Sequence, residues 1–350
     1  MKLFQKGLAL CLGVLLTLSL AACGGKSQTE TPASEEQFTP AAYRIAALKG
    51  PTAMGLVKLM NDSDERMAAM LDSSKPYEGE LSNTYTFTLA ASADEVTPAL
   101  IKGELDMACV PANLASVLYN KTEGEIQVLA VNTLGVLYMV ENGNAVSSMA
   151  DLAGKTIVAA GKGSTPEYAL RYLLRENGID PDTDVTIDWK SEHSECVAAL
   201  ASGAATIALL PQPFVTVAQT KMENLRTALD LTAEWDALDN GSALLTGVIV
   251  GRRQVAEENP AAVDAFLVDY AASVDWVNDS AADAAALIAR YGIVDAAPVA
   301  EKALPHCNIV CITGDEMKEK LSGYLNVLAE QAPESVGGKL PGDDFYYGAQ

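Results

Sequence analysis

The feature that most constrains this chain is a repeated unit of short apolar strand, tight turn and helix. Residues 43–48 read as a strand, Gly50-Pro51-Thr52 as a turn, and residues 53–60 as a run with helical periodicity. The unit recurs with a strand over 84–91, a capping-box pattern at Ser92-Ala93-Asp94-Glu95 and a helix to about residue 102. Gly103 then turns into an apolar strand over 105–110, and Pro111-Ala112-Asn113 opens another helix. Strands are expected over 126–132 and 134–140. Strands that alternate with helices predict parallel, doubly wound sheets covered by helices on both faces.

A second series starts near Met149. It predicts strands over 156–160, 185–189 and 206–210, with helices over 167–177, 192–201 and 214–219. The turns between them are Gly161-Lys162-Gly163-Ser164-Thr165-Pro166 and Pro211-Gln212-Pro213. Residues 244–250 read as a strand returning to the first series, followed by long helices over about 260–278, 281–291 and 314–331. The expected fold class is therefore α/β, with two lobes, each a doubly wound and mostly parallel sheet flanked by helices. The expected boundaries are 41–137 together with 243–350 for a discontinuous first lobe, and 138–242 for the second. Ligands of such sheets sit at the carboxyl ends of strands, at helix N-termini, in the cleft.

The N-terminus sets the compartment. Lys2 and Lys6 precede an apolar run over 8–20, which ends at Leu20-Ala21-Ala22-Cys23. This pattern resembles the lipobox of bacterial lipoproteins. It implies a signal peptide over 1–22, a lipid on Cys23, and a chain anchored on the extracytoplasmic face of the membrane. Residues 23–40, rich in Ser, Thr, Glu, Pro and Gly, read as a flexible linker. No later apolar run is long enough to span a bilayer; the stretch 243–250 is far too short.

The charge is strongly acidic. Residues 1–22 hold two of the 24 basic residues and none of the 46 acidic ones, so the remaining chain carries a net charge of −24. No basic stripe is present to neutralise phosphates, which excludes nucleic acid as an expected partner, and headgroup docking is disfavoured. Beyond Cys11 and Cys23 four cysteines remain: Cys109, Cys196, Cys307 and Cys311. They are expected to be buried thiols, with a Cys307–Cys311 disulfide next in order and zinc a distant third. No metal and no cofactor is expected.

The turns carry the candidate binding residues. At Gly50, Pro51 and Thr52, a helix start offers backbone N–H groups and a hydroxyl. Gly161 and Gly163 let the backbone approach a ligand, and Ser164 and Thr165 add two hydroxyls at a helix N-terminus suited to an oxyanion. Ser92, Asn113 and Gln212 occupy equivalent points after other strands, and Tyr168 is the aromatic expected to stack on a ligand. Lys49 is expected to point to solvent, Phe214 and Trp189 to pack in the core, and His193 to sit on an exposed, capped helix start. Catalytic residues are not expected. His193 and His306 are the only histidines, and neither accompanies a Gly-x-Ser-x-Gly or HExxH pattern.

Several stretches taken in order resemble the type 2 periplasmic-binding-protein fold. More narrowly, they resemble the nitrate/taurine/sulfonate and thiamine-precursor class of ABC-transporter substrate-binding lipoproteins. The matching stretches are 44–52, 103–108, 151–157, 161–164, 205–214 with its Pro-x-Pro turn, 259–263, and the tail 337–347. The resemblance implies capture of a small polar or anionic organic solute between two lobes, in a monomer, and delivery to a membrane permease and its ATPase. Two alternatives stay open from sequence: a thiamine-precursor-type enzyme on the same fold, and a sensor subunit of a signalling complex. No arginine falls in the predicted site turns, which weakens the anion reading, and a polar heterocycle fits the amide and hydroxyl inventory at least as well.

Overall fold

The structure, a computed structural model, describes residues 39–72, 74 and 82–350. The expected signal peptide over 1–22, the lipidated Cys23 and the linker up to residue 38 lie outside the described residues. Eleven strands are described: β1 Ala42–Leu48, β2 Thr84–Ala90, β3 Met107–Pro111, β4 Ile126–Leu134, β5 Leu137–Glu141, β6 Thr156–Ala160, β7 Thr186–Lys190, β8 Ile207–Pro211, β9 Arg226–Asp230, β10 Leu245–Arg252 and β11 Ile309–Ile312.

They form two sheets. The six-stranded sheet has the order β11-β4-β10-β3-β1-β2, and the five-stranded sheet the order β7-β6-β8-β5-β9. β1 pairs in parallel with β2 and β3, placing Ile45 opposite Phe87 on one side and Met107 on the other. β6 pairs in parallel with β7 and β8. The exceptions are β10, antiparallel to β3 and β4, β11, antiparallel to β4, and β5, antiparallel to β8 and β9. β5 and β10 are the strands reached by crossing from one sheet to the other. They enter from the cleft side, so they run against their neighbours.

Burial explains why these segments hold their positions. One face of the six-stranded sheet presents Tyr43, Ile45, Ala47, Met107 and Cys109 to the helices Val57–Leu71 and Pro260–Asp279. A second core runs through both lobes without a break, from Val110 and Val131 through Leu137 and Met139 to Ile157 and Leu173. The helix Gly314–Gln331 contributes Met317, Leu321, Tyr324, Leu325 and Leu328 to that shared core. Each fully buried side chain of this size contributes about 1.5–3 kcal/mol, so the lobes are joined by packing as well as by the crossings. The first crossing is only Gly135 and Val136, between β4 and β5. A methyl group on Gly135 would strike Thr232 and Leu244 of the return crossing, so the two connections lie side by side.

Several elements exceed the sequence expectation. The first long helix continues to Leu71, the strand β9 with the helix Leu231–Asp236 precedes the return crossing, and a short helix Ala297–Ala303 follows the long ones. Among the described residues no helix is long and apolar enough to cross a membrane.

Candidate functional site

A cleft of about 250 Å³ opens between the sheets. The first lobe supplies the turn after β1, from Leu48 to Thr52, and Pro111 at the end of β3. The second supplies Ser164, Thr165 and Pro166 after β6, and the turn Pro211–Phe214 after β8, with His193 beside it. Val136, Leu137 and Thr246, at the two crossings, complete the wall. Parallel strands that end together at the cleft place all these turns on one side of the molecule, which is where doubly wound sheets bind ligands.

Two of the polar side chains facing this space, Gln212 and Thr165, are set to donate, while Thr246 Oγ1 and His193 Nδ1 are buried without a hydrogen-bond partner. Gln212 is 3% exposed, and its Oε1 accepts hydrogen bonds from Thr216 Oγ1 at 2.9 Å and from the Thr216 N–H at 3.4 Å. That leaves the Gln212 NH₂ without a partner among the described residues. Thr165, 4% exposed, accepts through Oγ1 from the Tyr324 hydroxyl at 3.0 Å, so its own proton is free to donate. Lys49, an exposed residue, is also part of the lining. By contrast, Thr52 Oγ1 donates to the Leu48 carbonyl at 3.0 Å, and Ser164 Oγ donates to the Gly161 carbonyl at 2.7 Å. Of the two hydroxyls expected after β6, only that of Thr165 has a proton to offer an anion.

His193 departs from expectation. It does begin a helix, His193–Ala201, capped by a reciprocal pair of bonds between Glu192 and Glu195. The ring is only partly exposed, however. It turns inward to within 5.2 Å of Phe214, centroid to centroid, at an interplanar angle of 42°. Burial disfavours its charged form and pushes its pKa down to about 4, so the imidazole is neutral at physiological pH. Nδ1 is buried without a hydrogen-bond partner. Phe214, expected in the core, is half-buried and lines the cleft. Lys49 is exposed as expected, yet it is part of the lining.

Gly50, Pro51, Thr52, Ser164, Thr165 and Gln212 meet at the cleft. Gly161 and Gly163 shape the turn from behind. A Cβ on Gly161, whose φ is +89°, would meet Pro166 at 2.8 Å, and the Gly163 N–H donates to Glu167 at 2.7 Å. Three other predicted residues lie elsewhere. Ser92 is exposed beyond β2, which is the outer edge of its sheet, and bonds Glu95 at 3.3 Å. Asn113 is buried behind the turn and donates to the Ser335 carbonyl at 3.2 Å, tying its helix to the C-terminal segment. Tyr168 faces a separate groove with Arg171, Arg175 and Glu334. The residues that sequence reasoning set aside, His193 and Phe214, had one signal: each immediately follows a strand-end turn in the second lobe.

Cys109, Cys196, Cys307 and Cys311 are all free thiols. Burial pushes Cys109 and Cys307 up to about 12, and Cys196 and Cys311 up to about 11, so none is a thiolate at neutral pH. Cys307 Sγ donates to the Ala303 carbonyl at 3.2 Å. Among the described residues no group of three or more His, Cys, Asp or Glu is placed to hold a metal ion.

The chain resembles known proteins in sequence and in fold. A family model described as the periplasmic substrate-binding protein of phosphonate ABC transporters matches residues 76–304. A protein of Brucella abortus, named as a binding protein, is 24% identical over 237 residues, covering 66% of this chain and 70% of its own. The crystal structure of an ABC transporter protein from Parabacteroides distasonis superposes with a TM-score of 0.71 at 22% identity, over 87% of this chain and 98% of that one. The periplasmic aliphatic sulphonate binding protein SsuA from Escherichia coli superposes with a TM-score of 0.67 at 19% identity, over 88% and 96%. At these identities the structural likeness is one of fold.

Proposed function

The chain belongs to the phosphonate family of periplasmic substrate-binding proteins of ABC transporters, and from that premise we propose that its cleft holds the phosphonate or sulfonate head of a small organic solute. The protein is the substrate-binding component of an importer, a role in which it binds and hands over its solute. Residues 41–137 with 243–350, and 138–242, are the two bodies that close on the ligand.

The observation that carries the oxyanion reading is the orientation of the polar groups. Thr216 holds the Gln212 oxygen away and Tyr324 occupies the Thr165 oxygen, so both present hydrogens to the same space as Lys49. An anionic head needs donors, whereas a neutral heterocycle needs donors and acceptors together. Thr52 and Ser164 are positioning residues in this reading, since their protons hold the turns in shape.

The test is a thermal-shift panel of methylphosphonate, methanesulfonate, nitrate and a neutral pyrimidine. A true ligand at a hundredfold over its Kd adds about 2.7 kcal/mol of stability by mass action. A shift with the phosphonate or sulfonate and none with the pyrimidine is expected; the reverse pattern overturns the reading. We further propose that the chain works as a monomer on a lipid at Cys23. Cys23→Ser should move it from the membrane fraction to the soluble one, and unchanged membrane association would refute the tether.

A further inference from the structure

The cleft has a second chemistry beside its donors. His193 and Phe214 lie ring to ring at 5.2 Å, and Phe214 continues the turn containing Pro211 and Pro213. Pro166, one turn away in the same lobe, faces the same space. Neither ring is fully buried, and the His193 side chain has no hydrogen-bond partner among the described residues. Burial keeps that imidazole neutral, so it serves as part of a flat, weakly polar wall rather than as a cation. A ring pair and prolines left open to a cleft constitute a surface on which another flat apolar group can stack.

The charge pattern points the same way. The sequence contains 46 acidic residues, yet the described residues lining this cleft supply hydroxyls, an amide, an imidazole and one lysine, with no carboxylate among them. An ammonium on the ligand would enter a space in which no described lining residue carries an opposite charge and the one charged residue is Lys49. Stripping its hydration there without replacement is costly.

We infer that the cleft selects oxyanions with a flat apolar tail, best an aromatic ring stacked on His193 and Phe214, over oxyanions with an amino-bearing tail. This rests on the oxyanion reading of the site and specifies what is attached to the head. The head contacts Gln212 and Thr165, and the tail lies along the Phe214 wall. Ring stacking and the extra buried carbon together are expected to give about a tenfold gain for phenyl over methyl.

The experiment is calorimetric titration of the whole exported chain with phenylphosphonate, methylphosphonate and 2-aminoethylphosphonate, repeated with benzenesulfonate, methanesulfonate and taurine. Phenyl compounds should bind about tenfold more tightly than methyl compounds, and the amino compounds no more tightly than methyl. Phe214→Ala should lower affinity for phenylphosphonate about tenfold and for methylphosphonate less than threefold. Phe214→Leu, which keeps bulk without a π-face, should give an intermediate loss and guards against a folding defect in the smaller variant. Tighter binding of the amino compounds, or equal losses for both tails in Phe214→Ala, overturns the tail inference while leaving the oxyanion site intact. Failure of every phosphonate and sulfonate to bind overturns the oxyanion reading and the inference with it.

Discussion

The Gln212 amide is oriented by one neighbour. Thr216, one turn along the helix Phe214–Lys221, occupies its oxygen and so turns its NH₂ to the cleft. Removing that hydroxyl leaves only the longer bond from the Thr216 N–H, at 3.4 Å, to hold the amide, without touching the ligand. Thr216→Val should therefore lower oxyanion affinity about two- to fivefold, roughly half to one kcal/mol, the size of one neutral hydrogen bond; isothermal titration checks this. His193 gives a pH dependence whose sign follows from its neutral burial. In the unfolded chain its pKa is near 6.5, whereas in the fold it is pushed down to about 4. As pH falls through that interval the unfolded chain takes up the proton first, so stability is full above about 6.5 and drops towards about 4. The ceiling on the loss is roughly 3 kcal/mol. His193→Asn should flatten that part of the curve of Tm against pH, and an unchanged slope would place the proton elsewhere. Residue types and turns were legible before the structure: Thr52, Ser164, Thr165 and Gln212 all reach the cleft. Which atom of each is free was not, because it depends on Thr216, Tyr324, Leu48 and Gly161, and the first two of these lie outside the residue's own turn.

At the scale of elements, the helix Gly314–Gln331 does more than complete a core. It belongs to the chain after the return crossing, yet Tyr324 reaches Thr165 at the start of the helix Thr165–Glu176 and packs 5.9 Å from Trp235. Tyr324→Phe keeps the ring contacts and removes one buried hydrogen bond, so it should cost about 1 kcal/mol in denaturant unfolding. It also lets the Thr165 hydroxyl turn back on the protein, so a drop in oxyanion affinity should accompany the stability loss. The long helices and the strand–turn–helix units were readable because apolar spacing repeats over many residues. β9 escaped notice because Arg226-Thr227-Ala228-Leu229-Asp230 is an edge strand with little apolar alternation. The directions of β5 and β10 were also hidden, since a strand's apolar pattern is the same whichever way it runs. Ser92 and Asn113 were placed by analogy between turns. Sheet order defeats the analogy: β2 is at the outer edge, and the helix after β3 turns Asn113 towards the C-terminal segment.

For the whole molecule, the global field and the local site oppose each other. The sequence has a formal net charge of −22, while the cleft offers donors and Lys49. Long-range repulsion of an anion is screened once the Debye length falls to about 8 Å near physiological salt. Stopped-flow association of a phosphonate should therefore speed up, about two- to fivefold, as an inert salt is raised from low to physiological strength; slowing would mean that a local positive field dominates. The α/β fold class and the family membership were foreshadowed by the order of motifs along the chain; the core shared between the two sheets was not. The head group was not, because sequence gives the inventory of polar groups but not their hydrogen-bond direction. The most direct test of the account is calorimetric titration of methylphosphonate and methanesulfonate into the wild-type protein and into Gln212→Glu. That substitution replaces the inward-facing NH₂ with a carboxylate of nearly the same shape. Single-site saturation is expected for at least one oxyanion in the wild type, with a loss of at least a hundredfold in the variant. Equal affinity in the two proteins would contradict this expectation.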